Sequence, residues 1–487
     1  MSSEIRALEP KALWNKFADL NAVPRPSKKE ERVIKFMKDF GANLGLETIE
    51  DEVGNVIIRK PATAGMEDRK PIVMQSHLDM VHQKNNDTVF DFDTQGIAMF
   101  VDGDWVKAKG TTLGADNGLG VATIMAILES DSIAHPALEA LFTIDEETGM
   151  TGAMGLKGGL LKGEILLNLD TEEDDEIGVG CAGGIDVTAT RSYTPEGIAS
   201  DGMKAIKIEV KGLQGGHSGM QIHEGLGNSN KIMNRLLFAI IEDISIAEID
   251  GGSLRNAIPR ESVATVAFRA DKEELLMKVL QSLSETIKKE FKTMEPDLQV
   301  VFSDIDVPES VMPFDVQELL LKALYAAHNG VYRMSPDITD LVETSNNIAR
   351  VVVKEGEIKV GCLTRSSVES SKMDLANALK ATFELAGCEV EFSGSYPGWA
   401  PNMDSAILKV MVPIYERLNN GEKPHVAACH AGLECGILGQ NYPEMDMISF
   451  GPNIKGAHSP DERAQISSAQ KYWEFVIEIL KHIPKAS

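Results

Sequence analysis

Residues 141–149 read Leu141-Phe142-Thr143-Ile144-Asp145-Glu146-Glu147-Thr148-Gly149. An apolar run here stops at three consecutive acids, and a glycine then ends the regular pattern. The apolar part is typical of a buried strand, and open α/β sheets place ligands at the carboxyl ends of such strands. Neighbouring carboxylates repel one another, so this cluster needs a cation or solvent. Taken alone, the stretch fits a solvated acidic turn better than a binding site, because acidic residues are mostly exposed.

Two other apolar runs end in the same way. The run 71–74 leads into His77 and Asp79, and the run 164–169 is followed by Asp170. Each run is short enough for a buried strand. We therefore expect acids and a histidine to gather at one edge of an α/β sheet.

His77 and Asp79 are two residues apart, so in extended backbone both side chains lie on one face. A neutral histidine that binds a metal usually donates its second N–H to a carboxylate or carbonyl. Asp79 is positioned for that role. The alternative is an ordinary loop histidine, and the two residues alone leave it open.

Asp116 lies in a glycine-rich loop over 112–118, before an apolar helix predicted over about 118–128. The small neighbours of Asp116 let its backbone and carboxylate approach a ligand closely. The alternative is an Asn-Gly turn in which Asp116 caps the helix.

Composition limits the class of protein. A chain of 487 residues predicts two domains rather than one core. The net charge of −26 argues against a nucleic-acid partner, which needs a basic face. Five widely spaced cysteines form no disulfide or metal pattern and favour a reducing compartment. With no apolar leader or membrane-length run, we expect a cytoplasmic protein that does not engage a membrane.

The pattern of elements changes after Gly184. An α/β pattern is interrupted by an α+β region and resumes near 397, so we predict one domain from 1–184 and 398–487. The inserted domain is 185–397, with an amphipathic helix predicted over 228–246. In the first domain, Ser27 and Glu30 have the spacing of a capping box that opens a helix through Phe40.

The acids and histidines together suit a metal site. The candidate ligands are His77, His458, Asp116, Asp170 and one of the adjacent Glu146 and Glu147. Mixed nitrogen and oxygen ligands suit Zn²⁺, and less decisively Mn²⁺ or Co²⁺. Five ligands are many for one ion, so two ions that share a carboxylate fit better. No nucleophile elbow, phosphate loop or dinucleotide fingerprint competes with this interpretation.

These motifs resemble the di-zinc exopeptidase family of carboxypeptidases, dipeptidases and tripeptidases. The matching motifs are His77-Leu78-Asp79, Gly114-Ala115-Asp116-Asn117-Gly118, Glu146-Glu147, Asp170 and His458. The chain is most similar to the bacterial aminoacyl-histidine dipeptidase branch, through the segments 60–67, 81–87, 180–184, 254–260, 430–436 and 442–447. One departure is Met220, where that pattern has a second glycine after Gly219.

The resemblance implies an α/β catalytic domain with a mixed sheet between helices, and an inserted α+β lid domain. It implies two Zn²⁺ ions per chain, replaceable by Co²⁺ or Mn²⁺. Asp116 would then bridge the two ions. His77 and Asp170 would complete one site, and Glu147 and His458 would complete the other. Glu146 is then the general base on the metal-bridging water, and Asp79 supports His77.

The resemblance also implies roles for the lid. His217, in Gly215-Gly216-His217-Ser218-Gly219, stabilises the oxyanion, often from the partner subunit, which requires a homodimer. Asn256 and Arg365 contact the ends of the substrate, and Arg365 can pair with a C-terminal carboxylate. The roles of Asp145, His430 and Glu434 stay open.

The expected activity is metal-dependent hydrolysis of unblocked dipeptides, including Xaa-His and carnosine-type dipeptides. A related tripeptidase and an N-acyl amino acid deacylase are the alternatives within the same chemistry. A binding protein that kept the fold without the chemistry is an alternative of another class. Its sequence sign would be the loss of Glu146 or of a ligand, and all of these residues are present.

Overall fold

The computed structural model describes residues 3–85 and 87–486 of the chain. The chain divides into two compact units. The first contains Met1–Gly180, Pro401–Ala428 and Leu433–Ser487, and the second contains Cys181–Ala400 and Cys429–Gly432. The sequence-based division falls at 184/185 and 397/398 and does not separate 429–432 from the first domain.

An eight-stranded mixed sheet is the main sheet of the first unit. In spatial order its strands are Glu47–Glu50, Val56–Lys60, Leu138–Thr143, Ile72–His77, Ile165–Asn168, Asp446–Ser449, Glu176–Cys181 and His425–Cys429. A four-stranded sheet contains Ile454–Lys455, Arg463–Gln465, Trp105–Ala108 and Met99–Asp102. The helices of this unit are Ser3–Arg6, Lys11–Asn21, Glu31–Asn43, Ala115–Glu129, Glu146–Gly149, Thr151–Gly155, Ala406–Leu418, Glu434–Asn441 and Ile466–Lys481. The predicted α/β class with a mixed sheet is confirmed.

Three parallel strands of the main sheet bring the site residues to one edge. Ile72–His77 pairs in parallel with Leu138–Thr143 and with Ile165–Asn168, and every residue of the three strands is buried. In this register His77 lies opposite Thr143. Residues that follow the three strands therefore leave the sheet at the same edge, which is where such sheets bind ligands.

The helix Ala115–Glu129 begins at the same place. Gly114 precedes it with φ of 69°, a left-handed conformation that costs glycine little. Residues 117–128 are all buried, as expected of a helix that is apolar on every face. Burial of this helix fixes the position of Asp116 at its start.

The second unit is an α+β structure. Its main sheet contains nine strands, and all the described pairings in it are antiparallel. Eight strands lie in the order Gln299–Ile305, Met203–Lys211, Ser262–Arg269, Ile244–Gly252, Val342–Lys354, Glu357–Ser366, Gly183–Ser192 and Glu389–Tyr396, and Gly330–Met334 pairs with Val342–Lys354. The helices are Ser229–Phe238, Glu273–Phe291, Phe314–Ala326 and Glu369–Leu385, and two short pairs join Glu196–Gly197 to Ser310–Val311 and Gly216–His217 to Ala257–Ile258. One hydrophobic core combines residues of the sheet and of these four helices.

Two local predictions are wrong. The helix after Ser27 is Glu31–Asn43, and neither Ser27 nor Glu30 caps it by a side-chain hydrogen bond, because Ser27 Oγ donates to Asp79 instead. The helix predicted over 228–246 starts as expected after Asn228, whose side chain accepts two backbone N–H bonds. It ends at Phe238, because the sheet takes the following apolar residues as the strand Ile244–Gly252.

No helix among residues 3–85 and 87–486 is long and apolar enough to span a bilayer.

Candidate metal centre

Two groups of metal-ligating side chains lie at the carboxyl edge of the main sheet. In each group, three ligand atoms lie within 4.8 Å of one another. The groups are His77, Asp116 and Asp170, and Asp116, Glu147 and His458. The fold thus brings together all five residues that the sequence suggests as ligands.

Asp116 belongs to both groups and presents a different oxygen to each. Its Oδ1 lies 3.1 Å from His77 Nε2, and its Oδ2 lies 3.2 Å from His458 Nε2. Asp170 Oδ1 is 3.5 Å from His77 Nε2, and Glu147 Oε2 is 2.9 Å from His458 Nε2. This is the arrangement that two ions bridged by one carboxylate require.

Asp79 orients His77 from behind. Its backbone carbonyl lies 3.2 Å and its Oδ1 lies 3.3 Å from His77 Nδ1, so the imidazole can donate from Nδ1 to Asp79 and keep Nε2 free as a ligand. Burial by itself raises the pKa of Asp79, but hydrogen bonds with His77 and Ser27 lower it below its ordinary value. Asp79 therefore stays ionised as the partner of His77.

Glu146 lies beside the first group but belongs to neither group. Its Oε2 is 4.0 Å from His77 Nε2, and its side chain is 14% exposed. Burial raises the pKa of Glu146 well above its ordinary value, and the charges of Asp170 and Glu434 raise it further against the opposing effect of His77. A carboxylate with a raised pKa is a stronger base near neutral pH.

Asp145, the first acid of the opening stretch, is not a solvated turn residue. It is 5% exposed and adopts φ of 54° just before the short helix Glu146–Gly149. Its carboxylate accepts hydrogen bonds from Thr148 and Thr151. Asp145 therefore shapes the turn that presents the next two acids.

The donor set fits divalent metal ions. Imidazole nitrogens and carboxylate oxygens are common zinc ligands, and Glu147 Oε1 is buried without a hydrogen-bond partner in the described chain. Hydrogen bonds with Asp116 and Glu147 raise the pKa of His458 to about 11, while burial raises the pKa of Glu147. The cluster thus holds protons of the kind that a metal displaces when it binds.

His217 lies in the second unit with its tautomer defined. Its Nδ1 accepts the backbone N–H of Gly219 at 3.2 Å and of Met220 at 3.0 Å, which leaves the ring proton on Nε2. Burial and the charge of Arg365 lower the pKa of His217 to about 4. At neutral pH His217 is therefore a neutral donor through Nε2.

Asn256, a predicted substrate contact, lies next to the strand that pairs with Gly216–His217. The Gly216–His217 strand pairs with Ala257–Ile258, and the carbonyl of Asn256 accepts the N–H of Ser218 at 2.8 Å. The Asn256 residue is exposed. Its side chain is therefore accessible next to His217.

Arg365 converges on the same loop. A Cβ added to Gly219 would lie 3.2 Å from Arg365 Nε and 3.1 Å from His217 Cε1, so both side chains border this glycine. Arg365 is 4% exposed and donates from Nη1 to Tyr396 at 2.8 Å. Its Nε has no hydrogen-bond partner in the described part of the chain, and so retains a donor for a ligand.

Comparison with known proteins identifies the family. Residues 73–482 match the sequence model of peptidase family M20/M25/M40. The chain belongs to this family.

Two relatives of this M20 chain cover it almost completely. It is 44% identical to the cytosol non-specific dipeptidase of Escherichia coli (strain K12), over 99% of both chains. It is also 44% identical to the solved aminoacylhistidine dipeptidase of Vibrio alginolyticus, with a TM-score of 0.93 over 100% of this chain and 99% of that one. A tripeptidase from Staphylococcus aureus, 17% identical with a TM-score of 0.56 over 98% of this chain and 99% of that one, shares the fold.

Glu434 and His430 both lie in the segment 430–436, which is one of the segments that carry the family resemblance. Glu434 is fully buried, and its Oε2 accepts hydrogen bonds from Gln75 at 2.6 Å and Thr143 at 2.7 Å. Burial raises its pKa to about 8, so it is mainly neutral at pH 7. His430, in the second unit, contacts Ser345 Oγ through Nε2 at 2.8 Å. Tyr396, the partner of Arg365, is not predictable from the sequence, because a tyrosine in a strand carries no distinctive pattern.

Proposed function

We propose that this M20 chain is a two-metal dipeptidase that hydrolyses unblocked dipeptides, including those that end in histidine. The observation that carries the proposal is the position of Asp116, with one oxygen toward each histidine–carboxylate pair and with Glu146 outside both groups. The names of the two full-length relatives support the same activity.

Two Zn²⁺ ions are the proposed cofactors, with Co²⁺ or Mn²⁺ as substitutes. His77 and Asp170 would hold one ion, and Glu147 and His458 the other, with Asp116 shared. When bound, the two ions supply a water of lowered pKa and polarise the scissile carbonyl.

Glu146 carries the proton in the proposed reaction. Its carboxylate takes a proton from the attacking water and passes it to the nitrogen of the leaving amino acid. Burial raises the pKa of Glu146 and so favours its protonated form, which suits a group that must hold the proton between the two transfers. Asp79 keeps His77 in the tautomer that leaves Nε2 as an acceptor.

The second unit would act as a lid that recognises the substrate. We propose that His217 donates from Nε2 to the developing oxyanion and that Asn256 contacts the peptide. Arg365, with an unpaired Nε beside an Nη1 already bound to Tyr396, would pair with the C-terminal carboxylate. We further propose that the protein is a homodimer in which the partner supplies His217, and that it acts in the cytoplasm without a membrane or nucleic-acid partner.

The test is metal content measured together with turnover. Mass spectrometry of the purified protein should find two equivalents of metal, and a chelator should remove both the metal and the hydrolysis of an unblocked dipeptide such as β-alanyl-histidine. Zn²⁺ added back should restore hydrolysis. Less than one equivalent of metal, with turnover indifferent to the chelator, would refute the proposal.

Substrate class is decided by three matched compounds. A dipeptide, a tripeptide and an N-acetyl amino acid are compared by kcat/KM. We expect the dipeptide to react fastest. Preference for the tripeptide would make the chain a tripeptidase, and preference for the acetylated compound would make it a deacylase.

A further inference from the structure

One buried carboxylate holds the loop that carries Asp116. Glu462 is 2% exposed, and its two oxygens accept four consecutive backbone N–H groups. Oε2 accepts from Leu113 at 2.7 Å and Gly114 at 2.9 Å, and Oε1 accepts from Ala115 at 2.7 Å and Asp116 at 3.2 Å. Hydrogen bonds to an ionised acceptor are roughly twice as strong as neutral ones.

One buried guanidinium holds the same loop through its carbonyl side. Arg25 is 1% exposed, and its Nη2 donates to the carbonyl of Gly114 at 2.6 Å. Its Nη1 donates to the carbonyls of Leu78 at 3.1 Å and Asp79 at 3.0 Å. Arg25 therefore joins the backbone that follows His77 to the backbone that precedes Asp116.

The two side chains connect the three segments that supply the shared metal ligand and both histidines. Glu462 comes four residues after His458, so its bonds also tie the His458 loop to the Asp116 loop. None of these bonds uses a ligand side chain, which leaves the carboxylate of Asp116 free to face both histidines.

We propose that Arg25 and Glu462 are positioning residues that set the placement of Asp116 between the two metal sites. The inference rests on the proposed function, since it concerns the ligand that the two ions would share. Residues that support metal ligands in this way typically change metal affinity by about 10–100-fold when replaced.

The alternative is that Glu462 only stabilises the fold, and Glu139 provides the matched control. Glu139 is also a buried carboxylate of the first unit, 6% exposed, and accepts the N–H groups of Lys162 at 2.6 Å and Gly163 at 2.9 Å. It lies near the start of the strand Leu138–Thr143 and opposite Val73, which is roughly 13 Å of extended strand before the candidate ligand His77. Glu139→Gln should cost stability without changing the metal sites.

The experiment titrates metal-free protein with Zn²⁺ against a competing chelator. Glu462→Gln removes the negative charge and turns one end of the side chain into a donor that faces N–H groups. We expect Zn²⁺ affinity to fall at least fivefold in Glu462→Gln and less than twofold in Glu139→Gln. The visible spectrum of the Co²⁺-loaded protein should change in the first variant only. Glu462→Asp, which keeps the charge, should recover part of the lost affinity.

Zn²⁺ affinity within fivefold of the wild type in Glu462→Gln would overturn the inference, as would an equal loss in Glu139→Gln. If Glu462→Gln does not fold, Arg25→Lys decides by the same fivefold limit, because a lysine cannot reach all three carbonyls. A wild-type protein that binds no Zn²⁺ would instead refute the proposed function. Two bound ions together with an unaffected Glu462→Gln variant would refute this inference alone.

Discussion

Replacement of Glu146 by glutamine separates proton transfer from metal binding. The backbone N–H of Glu146 donates to Asp79 Oδ1 at 3.0 Å, and this bond does not depend on the side chain. The side chain belongs to neither ligand group, and its nearest oxygen is 4.0 Å from His77 Nε2. Glutamine has the same shape but cannot accept the proton, so the variant should keep its ligands and lose its base.

The expected loss of kcat is about 10³-fold. General acid–base catalysis contributes roughly 10²–10⁴-fold, and about 10³-fold corresponds to about 4 kcal/mol of transition-state stabilisation. Removing a negative charge beside the first ligand group would also weaken the binding of a cation there. The assay therefore holds Zn²⁺ at a saturating concentration.

The assay compares kcat, metal content and the pH profile of Glu146→Gln with those of the wild type. The wild-type rate should fall as the pH drops through the pKa that Glu146 has in the metal-loaded enzyme, because a protonated carboxyl cannot accept a proton. The variant should lack this acid limb. Glu139→Gln is the control, since it removes a buried carboxylate near the start of the strand Leu138–Thr143 and leaves the acidic turn intact. A kcat within tenfold of the wild type, with two metals bound, would refute the role of Glu146.

Three further outcomes follow from the same contacts. His217→Ala should lower kcat about 10²–10³-fold with little change in KM, as measured by steady-state kinetics, because it removes one oxyanion donor. Arg365→Lys should raise KM at least tenfold for a dipeptide but not for its C-terminal amide, since lysine cannot form the bidentate pair; an equal rise for both compounds would contradict the contact. For Glu434, folding raises the pKa from 4.5 to about 8, so its contribution to stability is complete below pH 4.5 and is lost as the pH rises toward 8. Urea titrations of the metal-free proteins should therefore show a larger fall in the free energy of unfolding for the wild type than for Glu434→Gln between pH 6 and pH 8. The difference between the two falls should be roughly 3 kcal/mol at most. An equal fall in both proteins would contradict the neutral buried carboxyl.

The positions of the ligand-bearing strands could be predicted because burial and chemistry change abruptly along the chain. An apolar run reaches Ile144 and three acids follow from Asp145, so the sequence alone marks the end of the strand. The structure confirms that the strand Leu138–Thr143 is fully buried. Local sequence patterns give the wrong prediction where a side chain forms its hydrogen bond with a residue far away in the sequence. Ser27 has the spacing of a helix cap, yet its hydroxyl donates to Asp79, 52 residues away.

The end of the helix after Asn228 shows a second limit. Ile240 and Ile244 continue a helical spacing, but Ile244 belongs to a strand that pairs with Ser262–Arg269 on one side. The tertiary partner decides between the two periodicities, because β-branched residues fit a pleated sheet well. A short apolar run does not contain that information.

The candidate ligand set could be predicted from motifs, whereas the residues proposed to position it could not. Arg25 contacts backbone carbonyls 53 to 89 residues away, and Glu462 contacts backbone N–H groups 346 to 349 residues away. A contact with a backbone atom depends on no particular partner residue type, so no sequence motif predicts it. The role of Asp145 stays open in the sequence, where an acidic turn taken alone favours solvent exposure. Its burial depends on two threonine hydroxyls that the turn itself brings into reach.

Adjacent acids can take separate roles here because one buried carboxylate fixes both. Asp79 accepts the N–H of Glu146 through Oδ1 at 3.0 Å and that of Glu147 through Oδ2 at 3.3 Å, and it also faces His77 Nδ1. The left-handed conformation of Asp145 turns the chain so that both N–H groups reach Asp79. The single side chain of Asp79 therefore orients the candidate base Glu146 and one candidate ligand from each metal group, His77 and Glu147. The positions of Glu146 and Glu147 are therefore set by hydrogen bonds from their backbone N–H groups to Asp79 and not by their own charges.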